Sequence, residues 1–323
     1  MIKSLIIGAG QLGSRHLQGL LKFEKEQFIY VLDPSENSLN ISKVRAQEVE
    51  NNHNLTLIND WDKLPNEFDL VIVATGANVR SKVVFKLLTD YKVKNLILEK
   101  ILFQDLNSYS KISNLIKKTK TSTWVNHPRR MFNHYKEIKK IISQSEEKVS
   151  FQVYGGNWGL ACNGLHFIDL FSFLSNSEVD HLNFDGVEEV VDSKRLNNIE
   201  FIGSIIGELK NGSDFKISSI NGSNADITVC VFTKSNRWII QEGTAQKVIQ
   251  LSVENNFNES IITFNNEFQS TLTTRIINDI LTKDKITLPN YDEASSSHIP
   301  FIKSALNTYT RITGTNTSII PIT

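Results

Sequence analysis

Ser4-Leu5-Ile6-Ile7-Gly8-Ala9-Gly10-Gln11-Leu12-Gly13 is the stretch on which the fold turns, and Asp33 completes it. A short apolar run leads into a glycine turn. Leu12, Leu17, Leu20 and Leu21 then mark one helical face. A second apolar run, Phe28-Ile29-Tyr30-Val31-Leu32, ends at Asp33. Strand, glycine turn, helix, strand and acid together read as a dinucleotide-binding βαβ unit. Gly8 permits the tight turn, Gly10 lets backbone approach a pyrophosphate, and Gly13 lets helix and strand pack closely. Gln11 and Leu12 stand where the helix opens, and the free N–H groups and positive dipole end there suit phosphate. Asp33 is placed to accept hydrogen bonds from ribose hydroxyls and to repel a 2′-phosphate, so NAD is expected rather than NADP. Nothing in Pro34-Ser35-Glu36 is basic, although Lys43 and Arg45 follow in the next segment. A plain strand-end acid that starts a turn at Pro34 is the alternative for Asp33.

Working outward, strands and helices alternate through the first third. A helix is expected over about 38–51, a strand over 55–58 and a buried strand over 69–75. Val79, Val83, Val84, Leu87 and Leu88 mark the next helix. Another buried strand covers 95–100, Asp105 looks like an N-cap, and 123–126 is a further strand. This order predicts a parallel, doubly wound Rossmann sheet with helices on both faces. From about residue 125 the pattern changes. A helix near 135–143, a strand over 148–154 and a helix over about 165–174 precede period-two strands from about 180 to 264. Two helices follow, near 266–282 and 292–308. The expected architecture is α/β: a Rossmann domain over 1–124, then an α+β domain over 125–323 with a large, mainly antiparallel open sheet.

The 323 residues hold 35 basic and 35 acidic side chains, and 40% are hydrophobic, enough for two cores. No basic stripe points to nucleic acid, and no segment points to a membrane. Cys162 and Cys230 offer neither metal spacing nor a disulfide framework, so no metal is expected. Lys3 before a short strand is unlike a secretory signal, and the chain reads as cytoplasmic.

Ligands in such sheets sit at the C-terminal strand ends. Three segments bring polar groups there: Ala74-Thr75-Gly76-Ala77-Asn78, Glu99-Lys100, and Asn126-His127-Pro128-Arg129-Arg130. Lys100 follows Glu99 at the end of an apolar strand, so its amine is placed to hold a substrate hydroxyl; a solvated strand-end lysine is the bland alternative. The other candidate is the glycine-rich run from Gly155 to Gly164, which leads to His166 and Asp169. His166 is expected in the first turn of a helix. Asp169, three residues on, either orients the imidazole or points elsewhere.

These pieces resemble the Gfo/Idh/MocA oxidoreductases over essentially the full length. The resemblance lies in GAGQLGSRH at Gly8 to His16, VIVAT at Val71 to Thr75, LEK at Leu98 to Lys100, NHPRR at Asn126 to Arg130 and GLHFID at Gly164 to Asp169. It implies hydride transfer between a nicotinamide and a hydroxyl of a sugar, polyol or sugar derivative, including nucleotide-activated sugars of polysaccharide biosynthesis. The family's glutamate-lysine pair maps to Glu99-Lys100 and its catalytic histidine to His166. Lys100 and His166 are therefore the expected catalytic pair. Gly8, Gly10, Gln11, Leu12, Gly13, Asp33, Thr75, Asn78, Glu99 and Lys100 are expected at the cofactor, and Lys100, Arg130, Asn163 and His166 at the substrate. The resemblance also implies a homodimer or homotetramer through the open sheet.

Two departures stand out. Ile101 replaces the proline that usually follows the lysine, and Cys162 stands where many members carry aspartate four residues before the histidine. Cys162 is either a small filler or a reactive thiol. Arg80 occupies a position that is usually histidine, and faces either an anionic substrate group or a surface salt bridge. His298 is a further candidate for the crevice. Two rival functions remain: a sugar- or nucleotide-sensing protein without turnover, and a lyase- or glycosidase-like enzyme that recycles bound NAD.

Overall fold

The computed structural model describes residues 1–145, 147–283 and 286–323. They form two compact units. The first contains Met1–Phe103, Asn107–Pro128 and Glu267–Ala294; the second contains Gln104–Leu106, Arg129–Asn266 and Ser295–Thr323.

The first unit is built from β1 (Ile2–Ile7), α1 (Gln11–Leu21), β2 (Gln27–Leu32), α2 (Glu36–Gln47), β3 (Asn54–Ile58), β4 (Glu67–Val73), α3 (Ala77–Asp90), β5 (Lys92–Glu99), α4 (Leu106–Thr119) and β6 (Ser122–Asn126). The strands lie in the order β3-β2-β1-β4-β5-β6, and each neighbouring pair is parallel. Helices cover both faces of such a sheet, so its central strands need apolar residues on both sides. Leu5 and Ile6 of β1, Val71 and Ile72 of β4, and Leu96 and Leu98 of β5 are accordingly all fully buried. Gly13 sets how closely α1 meets the sheet. A Cβ there would lie 1.7 Å from the Gly8 carbonyl oxygen, which no side chain tolerates.

The second unit holds α5 (Asn133–Ile142), β7 (Ser150–Gly156), α6 (Leu160–Ser175), β8 (Val179–Asp192), β9 (Ile199–Leu209), β10 (Asp214–Ile220), β11 (Thr228–Phe232), β12 (Asn236–Gln241), β13 (Lys247–Ser252) and β14 (Ser260–Thr263). Its eight strands run β14-β13-β12-β11-β7-β10-β9-β8, antiparallel throughout except for the parallel β10–β7 pair. Phe151 and Val153 of β7 are buried, and Phe151 stacks on Phe171 of α6 with ring centroids 4.4 Å apart. The next position, Tyr154, is exposed, as the two-residue strand period requires. Two helices end the chain, α7 (Gln269–Asn278) and α8 (Tyr291–Thr313).

Three boundaries differ from expectation. A single cut after residue 124 does not describe the units, because Glu267–Ala294 belongs with the first. The reason is local: a Cβ on Gly19 of α1 would lie 2.5 Å from the Thr273 Cβ, so the glycine is the seat into which α7 packs. The helix carrying His166 begins at Leu160, not near residue 165, and His166 therefore stands in its second turn. Gly155 and Gly156 belong to β7, where a Cβ on Gly156 would strike the Ser223 carbonyl at 2.1 Å.

Candidate functional site

In the first unit the glycine loop is shaped for a ligand. Gly8 has φ +99°, and a Cβ there would lie 2.9 Å from the backbone of Ala74 and Thr75, so the β1 and β4 turns meet edge to edge. Gly10 caps α1 without a side-chain hydrogen bond, and a Cβ built on it would meet nothing within 4 Å. The helix N-terminus is thus open above the loop, where an anion is stabilised by N–H groups and the dipole. Asp33 is tied to the same loop: one oxygen accepts the Ala9 N–H at 2.7 Å and the other the Ser35 N–H at 2.8 Å. Each carboxylate oxygen has a second lone pair, so the pair of oxygens can still accept from a ribose diol. Glycine loop, open helix end and acid therefore fit a dinucleotide.

Gln11 is held by a residue whose contact sequence reasoning missed. Arg45 of α2 donates to the Gln11 carbonyl at 2.7 Å, to Ser14 Oγ at 2.5 Å and to the Gln11 side chain. Asn78 folds back over the turn at the start of α3, its Oδ1 2.7 Å from where a Gly76 Cβ would be.

At the end of β5, Glu99 is bonded within its own unit. It is buried, and one oxygen accepts from His16 Nε2 at 2.9 Å and from Asn126 Nδ2 at 2.6 Å. The other ring nitrogen of His16 meets Thr273 Oγ1 at 2.8 Å. Burial pushes the Glu99 carboxyl up, but His16, Asn126 and the charge of Arg80 together hold it below the usual carboxylate range. Lys100 follows, half-buried, and the Lys100–Ile101 peptide is cis.

The second unit carries His166, half-buried on α6. Asp169 turns both oxygens to Arg130, with Nε at 2.8 Å and Nη2 at 2.7 Å. The Arg130 fork thus faces a buried carboxylate of its own chain. Burial raises the Asp169 carboxyl by more than Arg130 lowers it. Arg129 makes a second, half-buried pair, with Glu242, at 3.0 Å from Nε and 2.6 Å from Nη2. Tyr135 donates to the same carboxylate at 2.6 Å. The Arg129 guanidinium lies 4.1 Å from the centre of the Phe167 ring. Both arginines of the Asn126-to-Arg130 segment thus brace α6 on either side of His166.

Cys162 and Asn163 line a recess of about 310 Å³ together with Trp158, Glu200 and Arg195. Asn163 Nδ2 donates to the Trp158 carbonyl at 2.7 Å. Glu200 caps α6, accepting the Ala161 N–H at 2.7 Å and the Cys162 N–H at 3.3 Å. Sequence gave no sign of Glu200, which reaches the helix only through the register of β9. His298 is fully buried. Among the described residues no group of three or more His, Cys, Asp or Glu is placed to hold a metal, and no helix is long and apolar enough to cross a membrane.

Residues 2–127 match the Gfo/Idh/MocA family model, an oxidoreductase family with an NAD-binding Rossmann fold. No curated protein matches the chain in sequence. Solved structures share the architecture over nearly its whole length. An oxidoreductase from Agrobacterium radiobacter, in complex with NAD+, L-tartaric acid and magnesium, superposes with TM-score 0.71 at 13% identity, covering 95% of this chain and 97% of that one. UDP-N-acetylglucosamine 3-dehydrogenase GnnA from Acidithiobacillus ferrooxidans gives 0.68 at 12%, covering 97% and 98%. The transcriptional regulator Gal80p from Kluyveromyces lactis gives 0.73 at 13%, covering 96% and 92%. The match to the Gfo/Idh/MocA oxidoreductase family thus covers the N-terminal segment, and the solved structures share the fold over nearly the whole chain.

Proposed function

We propose that this protein is an NAD-dependent oxidoreductase acting on a hydroxyl or keto carbon of a sugar or sugar derivative. The open α1 terminus above Gly10, with Asp33 bonded into the same loop, carries the reading. The nicotinamide, when bound, supplies the hydride acceptor or donor. Gly8, Gly10, Gln11, Leu12 and Gly13 hold the diphosphate, and Thr75 and Asn78 flank it. In the oxidative direction His166 takes the hydroxyl proton while Lys100 donates a hydrogen bond to the developing oxyanion. Asn163, beside Trp158 in the recess, contributes to orienting the sugar. Cys162 is a filler and not the base: a thiol offers no carboxylate to orient a histidine. The nucleotide-activated sugar acted on by the Acidithiobacillus enzyme is one candidate substrate.

A protein that binds but does not turn over is the second reading. Cys162 in place of the usual aspartate favours it, and Gal80p shows that this architecture also serves a transcriptional regulator.

The discriminating experiment has two parts. Calorimetric titration is expected to give tighter binding of NADH than of NADPH, and Asp33→Ala is expected to narrow the gap. Tighter NADPH binding would overturn the cofactor assignment. A panel of sugars and nucleotide sugars is then followed at the NADH absorbance. Binding of NADH and sugar without any turnover would leave the second reading standing.

We also propose a homodimer or homotetramer through the second unit's sheet. Ile239, Ile249 and Ile261 stand opposite one another across β12, β13 and β14, and Ile206, Ile220 and Ile261 are exposed. Sedimentation of the full chain tests this, and a monomer at high concentration would refute it.

A further inference from the structure

Arg80 is one of the largest fully buried side chains in the first unit, at 2% exposure. Its guanidinium donates to three backbone carbonyls: Thr75 in the turn after β4, and Ile101 and Leu102, the latter at 3.4 Å. These acceptors are main-chain carbonyls of its own unit. A guanidinium in the interior is costly unless its donors are used, and its planar fork suits several acceptors at once.

Those acceptors flank one residue. Ile101 and Leu102 directly follow Lys100. Directly before it stands Glu99, fixed from the other side by His16 and Asn126. Arg80 also contributes charge toward Glu99. Lys100 is therefore the residue between two buried anchors, and one of them also ties down the turn that carries Thr75.

We propose that Arg80 is a positioning residue. It fastens the β4–α3 turn to the segment after β5, so that Lys100 and the cofactor-facing turn move as one piece. This rests on reading Lys100 as the working amine, but the test below needs no turnover. Lysine at position 80 would keep the charge without the fork. Glutamine would keep one or two hydrogen bonds without the charge.

The experiment uses the full chain and two variants, Arg80→Lys and Arg80→Gln, checked for folding by circular dichroism. Each is labelled briefly with acetic anhydride, and the rate at every lysine is read by mass spectrometry. Lys94, on the same strand, is the internal reference. A loosened segment opens locally more often, so Lys100 is expected to label at least about fivefold faster relative to Lys94. Loss of hydrogen bonds that shape the Thr75 turn is expected to weaken NADH binding by about tenfold. A merely structural arginine would lower the melting temperature and leave the Lys100-to-Lys94 ratio unchanged.

Folded variants with an unchanged ratio would overturn the proposal, and so would failure of both variants to fold, which would assign Arg80 to the core alone. A raised ratio supports it. If turnover then survives in Lys100→Ala, the role given to Lys100 fails while the positioning role of Arg80 stands.

Discussion

His166→Ala is expected to lower turnover by roughly a hundred- to ten-thousand-fold, the range typical of removing a general base. NADH affinity is expected to stay within about twofold, because an interaction made only in the transition state leaves ground-state binding alone. Lys100→Ala is expected to lower turnover and raise the KM for the sugar together, since its hydrogen bond to the hydroxyl exists in ground and transition states alike. Turnover within a few-fold of the parent in His166→Ala would remove the histidine from the chemistry.

The second large effect is on stability. Arg130→Ala is expected to cost about 3–5 kcal/mol, because it leaves the Asp169 carboxylate buried without its partner. A typical domain has only about 5–15 kcal/mol in hand, so the urea midpoint is expected to fall steeply. Arg130→Met combined with Asp169→Leu is expected to recover much of the loss, because an apolar pair of similar volume removes the uncompensated charge. If Arg130→Ala left the urea midpoint unchanged and raised the sugar KM alone, the guanidinium would belong to the substrate and not to Asp169.

These two cases show what the residues alone disclosed. The glycine turn and Asp33 were readable because their chemistry is local: a tight turn, a helix start and a strand end follow one another within thirty-three residues. The parallel and antiparallel sheets were readable from continuous as against alternating apolar runs. The internal partners of Arg130, Glu99 and Arg80 are hidden in the sequence for one shared reason. Each is a polar residue next to an expected site, and a polar residue near a crevice looks the same whether it faces a ligand or a buried partner. Asp169 lies thirty-nine positions from Arg130, and His16 eighty-three from Glu99. No spacing rule reaches that far. The start of α6 was misplaced because Gly159 and Gly164 resemble loop residues, whereas Gly164 is helical and a Cβ on it would press on Phe301 at 3.3 Å.

The return of α7 to the first unit bears on how the molecule is made. Gly19 emerges early from a ribosome, but Thr273, which fills the space above it, comes more than two hundred and fifty residues later. Throughout that interval the nascent first unit has a vacant groove along α1, and His16 lacks its Thr273 partner. A gene cut after residue 128 would produce a fragment without α7. Grafting 267–294 back onto it through a short linker would supply the missing helix. The first compact unit of this protein is therefore not one continuous stretch of chain.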